Sequence, residues 1–175
     1  MSWVATKSIG LFLDERHYLG AVSRGIAWSD QFGALVLAKP TSRRLPQDGT
    51  WLELVRWCLL GQANGGSMQW RAMIRALRAE QPEVTTIVSY SDPAQGHTGA
   101  LYRACNWHWR PTWHRLRPPP TGNGKWNTKT IHSVKDRWVF FVRPDPRAME
   151  LLAVNDSALM RKGIPTYRQF LQARA

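Results

Sequence analysis

The sequence predicts an α/β domain, and three observations carry that expectation. Aliphatic and β-branched runs recur at residues 33–38 (GALVLA), Trp51 to Leu60 and Val84 to Ser91, each bounded by turn residues as strands are. Between the second and third runs the period changes. Trp70, Met73, Ile74 and Leu77 stand at i, i+3, i+4 and i+7, the stripe of an amphipathic helix, and a strand–helix–strand succession belongs to α/β architectures. Size is the third: 175 residues, 43% hydrophobic and 21% charged, supply one folded core and a modest appendage rather than wholesale disorder.

Along the chain, residues 7–17 place Ile9, Phe12 and Leu13 at helical spacing with Asp14, Glu15 and Arg16 opposite, and Gly20 supplies a stop. Lys39-Pro40 closes the first strand. In the second, strict alternation puts Leu52, Leu54, Arg56 and Cys58 on one face and Trp51, Glu53, Val55 and Trp57 on the other. The turn Gly61 to Ser67 leads into the helix that Pro82 ends. After the third strand, Asp92-Pro93 breaks the chain and His97 to Cys105 reads as a second helix. Trp107 to Trp113 and Arg137 to Val142 are the last strand candidates. Between them residues 114–136 hold three consecutive prolines and almost no aliphatic residue, a loop longer than ordinary connections. The expected division is a catalytic domain over residues 1–145 and a C-terminal helical appendage over 146–175.

Charge narrows the partner. Lys and Arg number 24 against 12 acids, for a net +12, and the excess is uneven: +3 over residues 1–87 and +9 over residues 88–175. Such a field draws a polyanion, and the excess of Arg over Lys suits phosphate forks and guanine edges. Residues 103–138 hold eight Lys/Arg, one acid and Trp107, Trp109, Trp113, Trp126 and Trp138, a mixture suited to a nucleic-acid groove with rings for an extruded base. The alternative is a half-buried sheet face, since Trp107, Trp109 and Trp113 share a parity. No apolar stretch reaches the length of a membrane span, and no signal peptide is expected. Cys58 and Cys105 form no CxxC pair and the five His are not spaced as a ligand set, so neither a disulfide framework nor a metal is expected, and a reducing cytoplasm is the expected compartment.

Several residues could carry chemistry. The strand–Gly-rich turn–helix around Gln62-Ala63-Asn64-Gly65-Gly66-Ser67 offers unpaired amides to an anion, or is a plain left-handed turn; it lacks the Lys-Ser/Thr of a P-loop. Ser67 is expected to cap the helix with its hydroxyl toward a donor. Asp92, at the end of a strand, is either a general base or the cap of the next helix. Tyr102, one helix on, is either a proton donor or a core aromatic. Arg56, on an apolar strand face, needs a partner: Asp92, Glu53, or a phosphate or acyl carbonyl of substrate. His17-Tyr18 closes a helix and can reach the same site. His97 either caps its helix or touches substrate.

These residues fall into recognisable patterns. Gln62 to Ser67 resembles the Gln/Arg-x-x-Gly-x-Gly/Ala loop of GNAT-type N-acyltransferases except at its last position. Tyr102 sits where that superfamily carries a Tyr general acid, with Asn106-Trp107 in place of Gly-Phe. A closer resemblance covers most of residues 8–143. His17-Tyr18-Leu19-Gly20, Leu52-Glu53-Leu54-Val55-Arg56, the run from Ser89 to Tyr102 (SYSDPAQGHTGALY) and Lys135-Asp136-Arg137-Trp138-Val139 are similar to the phage Mom family. The 114–136 insertion and the tail beyond about residue 145 have no counterpart in it.

The resemblance implies a GNAT-like fold, with a central mixed, splayed sheet flanked by helices. It implies an enzyme that adds an acyl-type group, methylcarbamoyl or acetamido-like, to the exocyclic N6 amine of adenine in phage DNA, shielding it from restriction. Asp92, Tyr102, Arg56, His17 and Tyr18 are then the catalytic set. Gln62, Asn64, Gly65, Gly66 and Ser67 are the acyl-CoA grip, the donor itself staying open. Tyr90, His97, Trp107, Trp109, Arg115, Arg117, Lys125, Lys135 and Arg137 are the DNA contacts, on double-stranded DNA with the adenine flipped out. Two other readings stand beside it: a conventional acetyl-CoA-dependent acetyltransferase acting on an amino-modified base, protein or small amine, and a non-catalytic DNA-binding protein on the same scaffold.

Overall fold

The computed structural model describes residues 2–93, 96–111 and 136–149. All of the 114–136 loop except Asp136 and nearly all of the appendage lie outside them, and so do the expected DNA contacts Arg115, Arg117, Lys125 and Lys135. The described chain is a mixed α/β fold on one seven-stranded sheet in the order β1-β2-β3-β4-β5-β7-β6. In chain order the elements are β1 (Ser2–Val4), a 3-10 turn (Thr6–Ile9), α1 (Gly10–Arg16), β2 (Ile26–Asp30) and β3 (Gly33–Ala38). Then follow β4 (Trp51–Leu59), α2 (Gly65–Glu80), β5 (Thr86–Ser91), α3 (Ala100–Ala104), β6 (His108–Pro111) and β7 (Asp136–Phe141).

Strands β1 to β4 form an antiparallel meander, and β5, β7 and β6 a second antiparallel unit. Only β4 and β5 run parallel, because α2 is the crossover between them. Their ladder joins Trp51–Leu54 to Thr86–Ser89 and then stops, although β4 continues to Leu59. Beyond Leu54 and Ser89 the two strands part, and the sheet opens into the splay that the family resemblance implied.

Two cores flank the sheet. Trp70, Met73, Ile74 and Leu77 of α2 pack on Leu35, Leu37, Leu54, Ile87 and Trp138, with Trp107 and Trp109 in the same cluster. On the opposite face, Ile9 and Leu13 meet Ala27, Ala34, Val36 and Cys58. The expected alternation along β4 fails at one point. Val36 pairs with Arg56 but Leu37 pairs with Leu54, so Val55 is an extra residue, a β-bulge. One inserted residue exchanges the faces downstream. Leu54 and Trp57 therefore share the α2 side, whereas Cys58 joins Val55 on the α1 side.

Three further features bear on the sequence reading. Strands β1 and β2 were not foreseen, being short and polar at their ends. The helix expected from His97 begins only at Ala100, capped by Gly99 in the left-handed region (φ 74). A Cβ on Gly99 would stand 2.2 Å from Trp138 Cζ2, so the chain crosses that indole where only glycine fits. The start of the appendage is docked: a helical turn opens at Pro146, and Ala148 is buried against Leu45, Trp51, Val88 and Val139.

Candidate active site

The parting of β4 and β5 opens a cleft of about 1080 Å³ that runs along β4 from Glu53 to Leu59. Its walls include His17 and Tyr18 after α1, Ser89 and Tyr90 of β5, His97, and Leu101 and Tyr102 of α3. At its floor Tyr102 Oη lies 2.9 Å from Ser89 Oγ. Ser89 has one hydroxyl proton and donates it to the Leu54 carbonyl at 3.0 Å. The phenol is therefore the donor in its bond to Ser89, and the chain Tyr102 to Ser89 to Leu54 ends on the last paired residue of β4. Burial pushes the Tyr102 hydroxyl up to about 12, partly opposed by the Ser89 bond, so it stays protonated at neutral pH. The ring is held stacked on Trp138 at 5.0 Å and edge-on to Trp107 at 5.3 Å.

Sequence explains this geometry. In Ser89-Tyr90-Ser91 the two serines face the α2 side, where Ser91 Oγ accepts the Trp138 indole N–H at 2.8 Å. Tyr90 faces the other side, with the Arg137 guanidinium 5.7 Å from its ring, and burial raises its phenol. Arg56 meets neither expected carboxylate. It donates from Nε to the Gly20 carbonyl (2.8 Å), from Nη2 to Leu19 (3.2 Å) and from Nη1 to Val55 (2.7 Å), the carbonyl that the bulge takes out of the ladder. Arg56 thus fixes the turn that carries His17 and Tyr18.

His17 is held as a neutral ring. Burial, then Arg56 and His97, lower it to about 4. The Leu19 N–H donates to its Nδ1 at 3.2 Å, which leaves Nε2 to carry the proton. Its free nitrogen is a donor, so His17 polarises a substrate oxygen better than it accepts an amine proton. The ring stacks on Tyr18 (5.0 Å), and Tyr18 meets His97 edge-on (5.4 Å). Burial and then the Asp92 charge raise the Tyr18 phenol, opposed by Arg56.

Family comparison identifies the group. The Mom protein family matches residues 1–145. The chain belongs to the Mom family. No curated protein sequence matches it. Among solved structures it is similar to a Bacillus subtilis acetyltransferase in complex with CoA, at 16% identity and a TM-score of 0.41, over 69% of this chain and 78% of the other.

In this Mom-family cleft, His17, Tyr18, Arg56, Tyr90, His97 and Tyr102 line one surface. Asp92 does not reach the surface: it is 0% exposed and lies behind the cleft, where its backbone N–H donates to His97 Nδ1 at 3.3 Å. Nor does it cap α3, which starts eight residues later. Trp107 and Trp109 cannot stack on a flipped base. They are 2% and 4% exposed because Trp109 of β6 and Trp107 just before it both place their indoles in the α2 core. Gln62 to Ser67 adjoin the cleft instead of lining it. The Cβ sites of Gly65 and Gly66 are filled by Phe32 and by Leu101 and Leu59, so packing explains these glycines. Ser67 caps no amide; its Oγ donates to the Asn64 carbonyl at 3.0 Å. Ser89 and Trp57 are site residues that sequence reasoning passed over, although Ser89 opens the run the family shares. Glu53 contributes a carboxylate, its Oε2 accepting the Thr41 N–H at 2.6 Å. Among the described residues no three His, Cys, Asp or Glu cluster as a metal site requires, and no helix is long and apolar enough to cross a membrane.

Proposed function

We propose that this chain transfers an acyl-type group to the exocyclic N6 amine of adenine in DNA, making the modified sites resistant to restriction. The observation that carries the reading is the Tyr102 hydroxyl, aimed through Ser89 at the point where β4 and β5 part, in a chain of the Mom family. An acyl-CoA-type donor would supply an activated carbonyl. The turn fits the phosphates of such a donor: Gly66 and Ser67 lie in the first turn of α2, ahead of its first i to i−4 bond, from Met68 N–H to Asn64 O (3.1 Å).

The residues divide the work. The amine nitrogen bonds to the carbonyl carbon, and the bond from that carbon to the leaving group breaks. Tyr102 delivers its proton to the leaving group and is reprotonated from solvent; the amine proton passes to water at the mouth. The His17 Nε2–H stabilises the carbonyl oxygen as negative charge develops on it. Asp92 acts from behind the cleft, its backbone N–H holding His97 through Nδ1. A base stacked in a duplex cannot reach this floor, so the adenine must be extruded.

Expression in a bacterial host followed by nucleoside mass spectrometry of plasmid DNA tests the reading. The expected result is a modified adenine nucleoside, with resistance to enzymes whose sites contain adenine and normal digestion by those whose sites hold only G and C. Unmodified nucleosides with normal digestion overturn it in favour of an ordinary acetyltransferase.

A further inference from the structure

We propose that the rim of the cleft on the α1 side, formed by Arg16, Arg24, Arg43 and Arg44, is the phosphate-binding surface for the DNA strand that carries the target base. The inference rests on the reading that DNA is the substrate, and it moves the electrostatic contact away from the charge-rich C-terminal half to the half whose net charge is only +3. That balance hides a segregation. The stretches 16–24 and 39–44 hold Arg16, Arg24, Lys39, Arg43 and Arg44 and no acid. Arg16, Arg24, Thr41 and Ser42 line the cleft itself, and Arg43 and Arg44 follow directly, both exposed.

Of the acids of the same half, Glu53 lines the cleft and is held by the Thr41 N–H, and the three aspartates are engaged elsewhere. Asp14 accepts the Ala21 N–H at 2.7 Å, Asp30 accepts from Trp28 and Gln69, and Asp48 pairs with Arg147. Among the described residues none of the four rim arginines forms an ion pair.

The rim is also built in advance. The Gln47 side-chain amide donates to the carbonyls of Pro40 (3.2 Å), Ser42 (3.0 Å) and Leu45 (3.1 Å), clamping the turn that presents Arg43 and Arg44. Leu45 is buried beneath that turn, 5% exposed. Arg24 Nη2 donates to Thr41 Oγ1 at 2.6 Å, tying the loop after α1 to the same turn. A guanidinium fixed as that of Arg24 is, beside a turn held in place, loses less entropy on meeting a phosphate than a free one. Arg16 and Arg24 share the cleft lining with His17, Tyr18 and His97, whose rings supply apolar faces to an entering base.

Equilibrium anisotropy with a short fluorescein-labelled duplex, titrated with salt, tests the proposal. Each phosphate contact contributes a slope of about −0.9 in log K against log[salt], so Arg43→Gln/Arg44→Gln should make the slope shallower by about 2. Arg71→Gln/Arg75→Gln, on the exposed side of α2, should leave it unchanged. If the rim variant keeps the wild-type slope and still modifies plasmid DNA, the rim proposal is overturned and the proposed function stands. If the wild type neither binds duplex at low salt nor modifies DNA, both fall together.

Discussion

Arg56 and Gly20, thirty-six residues apart in sequence, are joined by a 2.8 Å hydrogen bond from the guanidinium Nε to the glycine carbonyl. With the bonds to Leu19 and Val55, it makes one side chain the brace between the central strand and the turn bearing His17 and Tyr18. Arg56→Lys keeps the charge but not the planar fork, so it cannot reach all three carbonyls. Urea denaturation should show a loss of about 0.5–1.5 kcal/mol, the net worth of hydrogen bonds to part-buried carbonyls, and DNA modification should fall more than tenfold. Wild-type activity in Arg56→Lys would make the brace dispensable.

Tyr102→Phe removes only the proton donor. Modification should fall by about 10²–10⁴-fold, the worth of a positioned acid, while stability changes by no more than about 1.5 kcal/mol. Ser89→Ala provides the companion measurement. It keeps the Tyr102 hydroxyl but deprives it of its acceptor, so the activity loss should be smaller and the two effects should not add in the double variant.

Stability should depend on pH through His17. Its folded value, about 4, lies below the unfolded 6.5, so between these pH values the unfolded chain binds more protons. The contribution is therefore complete above about pH 6.5, lost progressively as pH falls, and gone below about pH 4. His17→Gln should flatten the denaturation-derived stability profile within that window. An unchanged profile would mean that His17 is protonated freely in the folded protein.

Gly66→Ala tests whether the turn matters through packing. The added methyl would stand 2.4 Å from Leu101 Cδ1 and 2.9 Å from Leu59 Cδ1, both flexible ends. Melting should show a cost of about 1–3 kcal/mol for overpacking, less the gain in helix propensity of about 1 kcal/mol. Because Leu101 precedes Tyr102, activity should drop more than the folded fraction does.

Asp145 gathers the far end of the sheet. It is 3% exposed and accepts from the Trp51 indole (2.9 Å), Thr85 Oγ1 (2.6 Å) and Arg147. Burial alone would raise its carboxyl, but the bonds from Arg147, Thr85 and Trp51 outweigh it and hold the group below the usual range. Asp145→Ala should cost about 1–3 kcal/mol, as the buried Trp51 indole N–H and the Thr85 hydroxyl lose their acceptor. The stability that Asp145 contributes should be present above about pH 4 and lost on further acidification. A neutral substitution would show that the hub is incidental.

What sequence made legible was local. The α2 stripe and the GALVLA strand stand where the pattern put them, because α2 buries one face at a single period and the strand is an unbroken apolar run buried on both faces. The β4 faces did not, since the Val55 bulge arises from pairing with β3 and leaves no mark in composition. Asp92, Trp107 and Trp109 carried the right residue types for substrate contact but are buried, in or beside the strands β5 and β6. Ser89 was overlooked because a serine in a strand announces nothing; its role exists only once Leu54 and Tyr102 stand on either side of it. The rim arginines were obscured by counting charge along the chain instead of over a surface.

The parallel seam between the two halves of the sheet is four residue pairs long, from Trp51–Thr86 to Leu54–Ser89. Past it, a bound substrate would stand where a strand's neighbour ordinarily stands. Such a ligand binds only the folded chain, so it acts as a reversible piece of the scaffold, adding about 2.7 kcal/mol of stability at a hundred times its dissociation constant. Thermal denaturation then becomes an assay for the donor. Compounds screened for their power to raise the melting temperature would be ranked by how well they mend the open seam, before any chemistry is measured.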